Sequence, residues 1–399
     1  MADAQPSLSR RARRLAAPDA DVWRVHEAAL ERLAAGDDII LLSVGDPDFP
    51  TPEPIKQHTL AQLAADRTHY SPALGEPALR QAIADLETRT TGRPFEPEQF
   101  VIFPGATAAL FTTFACIADS GAEVVVPEPM YIGYRGIFAA LGISVVSVPL
   151  DATRNFRLDP DRVIDAINAN TCAVVLNTPG NPGGNIIAVE SLARIANACR
   201  QRGIWLVCDE VYSLFTFEEP HISLLRATDN LDNIVVIDGL SKSHAMSGWR
   251  IGWAVAPPDL VQALGDFSGS AFFGSCQFVQ DGAAYALAHD EPFVQKMCDE
   301  YQARRDYLVQ RIAGIDGLVC APPQAGMFVM LDVSAITADG GRFAQALLDV
   351  ARISTIPGVG FGATTRSYVR VSLTQPVGVL EEACDRINQS LPAIRSACV

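Results

Sequence analysis

Between residues 120 and 256 the apolar positions do not alternate with polar ones; they come in short, nearly continuous runs. The runs are Glu123–Val126, Ser144–Val148, Ala173–Asn177, Ile204–Asp209, Ile234–Asp238 and Ile251–Ala256. A strand wetted on one face alternates, whereas a strand covered on both faces reads as an unbroken β-branched run, so these six are predicted to lie in a buried sheet. Between them the apolar period lengthens to that of a helix. Asp159 and Pro160 form a helix start, with Val163, Ile164 and Ile167 on one face, and the pattern Glu190–Arg202 ends at Gly203. Strands alternating with helices predict an α/β fold with a mostly parallel central sheet and helices on both faces.

After residue 290 the pattern changes. A long helix is predicted from Pro292 to Ile312, stopped by Gly314. Strands Met327–Val333 and Ser367–Leu373 and helices Arg342–Val350 and Val377–Ser390 follow, which suits a smaller α+β domain. The helix Val22–Leu33, ended by Gly36, is expected to join that domain or to pack across the boundary. A chain of 399 residues has the length of two domains. The expected division is 49–290 for the large one, and 1–48 with 291–399 for the small one.

Composition narrows the class. Apolar residues make up 49% and charged residues 19%, as in a packed soluble globule. A net charge of −15 repels phosphate backbones and anionic headgroups, so neither nucleic acid nor membrane is an expected partner. The basic cluster Arg10, Arg11, Arg13 and Arg14 has no apolar run after it and reads as a solvated segment, leaving the cytoplasm as the expected compartment. The nine cysteines are scattered singly and the six histidines show no ligand spacing, which predicts reduced thiols and no metal. Cys116, Cys172, Cys199 and Cys208 lie in apolar stretches that read as core.

Only three lysines occur. Lys296 sits in the long helix among Asp299, Glu300 and Arg304, and Lys56 starts a helix after a Pro-rich loop; both read as exposed. Lys242 follows the buried run Ile234–Asp238 in a small-residue loop, at the strand edge where α/β sheets bind ligands. An amine there becomes a nucleophile toward an aldehyde once burial lowers its pKa. Arg250, eight residues on, suits a phosphate. Asp209 ends another buried run; it could pair with a cationic ring nitrogen or simply cap a helix. Asn177 and Asn181 end a third run, where a plain Asn-Pro-Gly turn is the alternative. The run Gly358–Gly362 opens no βαβ unit, so a dinucleotide site is set aside.

Eight segments, in order along nearly the whole chain, resemble the class I/II aminotransferases, the fold type I enzymes of pyridoxal 5′-phosphate. They are SVGDPDFPTP (43–52), THYSPALGEPALR (68–80), PGATAAL (104–110), EPMYIGY (128–134), NTPGNPGG (177–184), DEVY (209–212), LSKSHAMSGWRIGW (240–253) and YVRVSL (368–373). The resemblance implies that Lys242 holds the cofactor covalently and shuttles the substrate proton, while Asp209 pairs with the pyridine nitrogen. It implies that Asn181 and Tyr212 bond the phenolic oxygen and that Tyr131 stacks on the ring. Gly105, Ala106, Thr107, Ser241 and Arg250 would hold the phosphate, joined by Tyr70 of the partner subunit of a homodimer. Arg370, helped by Asn181 and the Gly45 loop, would grip the substrate carboxylate.

The implied reaction moves an amino group from an amino acid to a 2-oxo acid. A β-lyase, an amino-acid oxidase and a cofactor-binding regulator are the alternatives, although the short N-terminal extension leaves no room for a DNA-binding module. SVGDPDF, EPMYIGY and SKSHAMSGWR most resemble arginine–pyruvate transaminase-type members, which makes arginine or another basic amino acid the candidate donor, pyruvate the candidate acceptor, and Asp46 and Asp48 the nearby acids. Two departures stand out. Gly239 replaces a hydroxyl residue, for which Ser241 or Ser243 could compensate, and Gly183 removes another hydroxyl.

Overall fold

The computed structural model describes residues 7–15, 22–289 and 292–399. Its centre is a seven-stranded sheet of β1 (Phe100–Phe103), β2 (Glu123–Glu128), β3 (Ser144–Pro149), β4 (Thr171–Asn177), β5 (Trp205–Asp209), β6 (Ile234–Gly239) and β7 (Gly252–Val255). The spatial order is β1-β7-β6-β5-β4-β2-β3. The run β6-β5-β4-β2-β3 is parallel throughout, and β7 alone is antiparallel to both its neighbours.

All six predicted strands are present, and their continuous apolar character has the expected cause. Successive residues of one strand enter different cores: Val174 and Leu176 face one cluster and Ala173 and Val175 the other. Helices Pro77–Thr91, Val189–Gln201 and Gln277–Ala288 cover the first face. Helices Ala106–Ile117, Ile132–Leu141 and Pro258–Ala271 cover the second. β1 escaped the sequence reading because four apolar residues are too few to tell a strand from a piece of buried helix.

A third core joins the two ends of the chain. Val25 and Ala29 of helix Arg24–Ala34 pack with Met297 and Tyr301 of helix Phe293–Ile312 and with Leu380 of helix Val377–Ala397. Ile40–Leu41 pairs in parallel with Ile353–Ser354. Beside it a small antiparallel sheet runs in the order Ile356–Pro357, Tyr368–Ser372, Phe328–Asp332, Val319–Cys320. The expected division at 290/291 falls on residues outside those described, as do residues 1–6 and 16–21 of the expected small domain.

Several local expectations need correction. The helix begun at Asp159 ends at Asp165, before Ile167. The predicted helix Arg342–Val350 begins two residues earlier, as Gly340–Ala346, and continues as a wider π-helical turn, Leu347–Ala351. The last helix runs past Pro392 to Ala397, its final turns anchored by the fully buried Ile394. Cys199 and Cys208 are buried, but Cys116, at the end of its helix, and Cys172, at the start of β4, are only partly covered. Arg10–Leu15 forms a short exposed helix against helix Ile132–Leu141. Among the described residues, no helix is long and apolar enough to cross a membrane.

Candidate active site

The strand ends converge at one edge of the sheet. β4 ends at Asn177, β5 at Asp209 beside it in register, and β6 at Gly239. The single turn Leu240–Ser243 then carries Ser241 and Lys242. Because β7 runs the other way, its first residue stands at this same edge, with Phe103 and Gly239 opposite Gly252, and Arg250 just precedes it. The C-terminal edge of the parallel strands is where an α/β sheet leaves an open crevice. Here the crevice is a cavity of about 330 Å³ lined on its far side by Phe328 of the third core and by Arg370 of the strand paired with it.

Three of the four charged side chains on that wall, Lys242, Asp209 and Arg370, meet there without pairing with one another. Lys242 Nζ donates to the Gly45 carbonyl at 2.7 Å, and burial lowers its pKa to about 8, Asp46 opposing this and Arg370 and Arg250 adding to it. The Asp209 carboxylate is 4% exposed; burial raises its pKa to about 6, against hydrogen bonds from the Tyr134 hydroxyl at 2.7 Å and the Val211 amide. Arg370 donates from Nη1 to Asn181 Oδ1 at 3.0 Å and from Nη2 to the Ser43 carbonyl at 2.7 Å. Its guanidinium lies 3.9 Å from the Phe328 ring centroid and 5.0 Å from that of Phe361, and burial lowers its pKa to about 10. Its Nε is buried with no partner, which leaves a guanidinium edge ready for a carboxylate.

The other end of the cavity is built for an anion. Helix Ala106–Ile117 starts at Gly105, whose φ of +93° is one that other residues rarely adopt. A Cβ there would lie 2.3 Å from Arg250 Nη2, so only glycine lets the guanidinium approach the helix start. Ala106 and Thr107 line the cavity with the free amide groups of that helix end. Arg250 is held by a 2.8 Å hydrogen bond to the Ser247 carbonyl.

Gly239 has a steric cause. A Cβ there would stand 2.7 Å from the Ile251 carbonyl oxygen and 3.0 Å from Gly252 Cα, so this strand pairing excludes a hydroxyl side chain. Of the two serines expected to compensate, only Ser241 lines the cavity. Ser243 is buried and bonded to His244 Nδ1 at 2.8 Å, facing a different cavity behind the sheet.

Of the residues singled out in the sequence, Lys242, Asp209, Tyr212, Asn181, Tyr131 and Arg370 share the cavity wall. Gly45, Ala106, Thr107, Ser241 and Arg250 line it too, and Gly105 abuts Arg250 just behind. Asn181 Nδ2 reaches the Tyr212 hydroxyl at 3.4 Å. Tyr70 is not brought in; it is 80% exposed on the surface, its ring 4.7 Å from that of Phe273. Asp48, noted as a nearby acid, is held in a two-pronged ion pair by Arg304 at 2.8 and 2.9 Å. Sequence reasoning missed Tyr134, although it lies in EPMYIGY three residues after Tyr131, a spacing that puts both on one helix face. It also missed Ser43, Phe328 and Trp23, for which local spacing carries no signal.

A family model for aminotransferase class I and II matches residues 37–387. The chain is 38% identical to the arginine–pyruvate transaminase AruH of Pseudomonas aeruginosa over 94% of this chain and 95% of that one. It is 32% identical to an aspartate aminotransferase of Geobacillus stearothermophilus over 92% and 95%. Among solved structures, the aspartate aminotransferase of Thermus thermophilus with maleate superposes with a TM-score of 0.91 at 32% identity, covering 96% of this chain and all of the other.

Proposed function

The chain belongs to the class I and II aminotransferases, and we propose that it uses pyridoxal 5′-phosphate, held by Lys242, to pass the amino group of a basic L-amino acid to a 2-oxo acid. Arginine and pyruvate are the first pair to try, because the relative at 38% identity carries both in its name. That it is an aminotransferase follows from the family; its cofactor, donor and acceptor are our reading.

One observation carries it: Asp209, Lys242 and Arg370 face a common cavity, each shifted by burial toward its neutral form, and no ion pair joins them. Buried charges left so are unfavourable until ligands supply what is missing. A pyridinium opposite Asp209, an aldehyde at Lys242, a phosphate at the Gly105 helix start and a carboxylate at the free Nε of Arg370 would supply all of it. A volume of about 330 Å³ is within the range of small-molecule sites.

Bound there, the cofactor would contribute an aldehyde and an electron-withdrawing ring that stabilises negative charge at the substrate Cα. The residues do the rest. Lys242, with a pKa near 8, has a substantial neutral fraction at cellular pH; it would hold the cofactor through its amine and would carry the proton from the substrate Cα. Asp209, oriented by Tyr134, would keep the ring nitrogen protonated. Tyr212 and Asn181 would hold the phenolic oxygen, and Tyr131 would cover the ring. Arg370, kept flat by Phe328, orients the donor through its carboxylate.

The exposed Tyr70–Phe273 pair supports a homodimer in which Tyr70 reaches the partner subunit's phosphate. We propose 49–290 as the large domain and 1–48 with 291–399 as the small one. Nine free cysteines suit a reducing compartment, the cytoplasm. The test is a half-reaction screen in which cofactor-loaded protein is mixed with single amino acids and the cofactor absorption is followed. Transamination converts the band with amino acid alone, and Lys242→Ala abolishes turnover. Multiple turnovers by that variant would remove the lysine from the mechanism.

A further inference from the structure

With the cofactor and carboxylate groups committed, the remaining wall of the cavity is chiefly Trp23, Val44, Leu110 and Ile132. Val44, Leu110 and Ile132 suit methylenes. Trp23 alone offers a large π face; it caps helix Arg24–Ala34 and packs beside Phe361 and Ile132. Its neighbour His26, 5.9 Å away edge to face, bonds Ser43 Oγ at 2.8 Å, and burial lowers its pKa, so it stays neutral and does not repel a cation.

The charges nearby decide between an anionic and a cationic side chain. Lys242, Arg250 and Arg370 are the cations of the cavity wall, and each already has a task. In the surface region of Tyr70, which the dimer reading brings to the partner's site, Arg67 is taken up by Asp281 and Glu76, both at 2.7 Å. Among the described residues of the cavity wall, a distal carboxylate therefore meets only cations that already have a task. A distal cation meets Trp23 and the field of Asp46, which is fixed by the Ser247 hydroxyl at 2.5 Å and reaches as far as the Lys242 amine.

We propose that Trp23 reads the distal end of the donor side chain, and that this end is a planar cation of the guanidinium type stacked on the indole, with the methylene stem along Val44, Leu110 and Ile132. The inference rests on the aminotransferase reading and adds to it the residue and the interaction that select the donor.

The test compares L-arginine, L-norvaline (the same stem without the guanidinium), L-glutamate and L-alanine on cofactor-loaded enzyme. Wild type prefers arginine to norvaline. Trp23→Leu lowers the arginine-to-alanine ratio of kcat/KM on the order of tenfold, chiefly through KM, as expected for loss of a desolvated cation–π contact. Trp23→Phe, which keeps a smaller π face, falls between. Equilibrium binding of 5-guanidinopentanoate, which cannot react, weakens in the same order. If Trp23→Leu depresses every donor equally, or norvaline or glutamate matches arginine in wild type, this inference is overturned while the aminotransferase reading stands. If no donor alters the cofactor spectrum, that reading fails first.

Discussion

Replacing Asp209 by Asn should stabilise the protein without cofactor and cripple it with cofactor. The carboxylate is buried at the end of β5, and burial lifts its pKa from an ordinary value near 3.8 to about 6. The folded chain thus binds this proton more tightly than the unfolded chain. Stability falls as pH rises from about 4 to about 6 and stays lower above that window. Two pH units at 1.36 kcal/mol each make the carboxylate a burden of about 3 kcal/mol at neutral pH. Asn has the same shape, carries no charge and can still accept from the Tyr134 hydroxyl. Cofactor-free Asp209→Asn should therefore melt several degrees above wild type at pH 8, and the difference should vanish at pH 4.

With pyridoxal phosphate bound the sign reverses, because the ring nitrogen loses its counter-charge in a buried site. Breaking one side of a buried ion pair costs about 3–5 kcal/mol, so kcat/KM should drop by roughly two to four orders of magnitude. Differential scanning calorimetry of the cofactor-free protein at the two pH values, set beside steady-state kinetics of the loaded enzyme, reads both arms. A variant less stable than wild type at pH 8 without cofactor would mean that Asp209 is satisfied within the fold, and the argument for a cationic ring opposite it would fail.

Two further outcomes follow from the same geometry. Capture of pyridoxal phosphate by cofactor-free enzyme needs the neutral Lys242 amine; stopped-flow absorbance should show the rate rising with pH and levelling above about 8, and no covalent capture by Lys242→Ala. Arg370→Lys keeps a charge but loses the flat fork between Phe328 and Phe361, so KM should rise on the order of tenfold to a hundredfold for every amino donor alike; a change confined to one donor would remove Arg370 from the carboxylate site.

The large sheet was legible because burial on both faces writes itself into sequence as unbroken runs, and the strands β2 to β7 all carry such runs. The same logic hid β1, and it could not tell that β7 is antiparallel, since a strand between two others is covered on both faces whichever way it points. That reversal matters: it brings Arg250 to the edge where β4, β5 and β6 end and lets it meet Gly105. Direction lies in the connection, and the stretch from Lys242 to Arg250 contains too little helix to read as a crossover.

Within the site, what could be read was the chemistry that a residue announces by type and place, such as an amine or a carboxylate just after a buried run. What could not be read was the company each keeps. Asp48 and Asp46 are alike in the sequence, yet Arg304, more than 250 positions away, forms an ion pair with the first, while the second is bonded to the Ser247 hydroxyl beside the cavity. Tyr134 sets Asp209 from another strand's helix, and Phe328 lies under Arg370 from the neighbouring strand. Contacts between distant segments decide which charges remain free, and the free ones select the ligands. Here they leave a negative group where a ring nitrogen would sit, positive groups for a phosphate and a carboxylate, and, among the described residues of the cavity wall, no further cation for a second carboxylate. On the donor proposed above, that pattern is what would favour a basic side chain over one like aspartate.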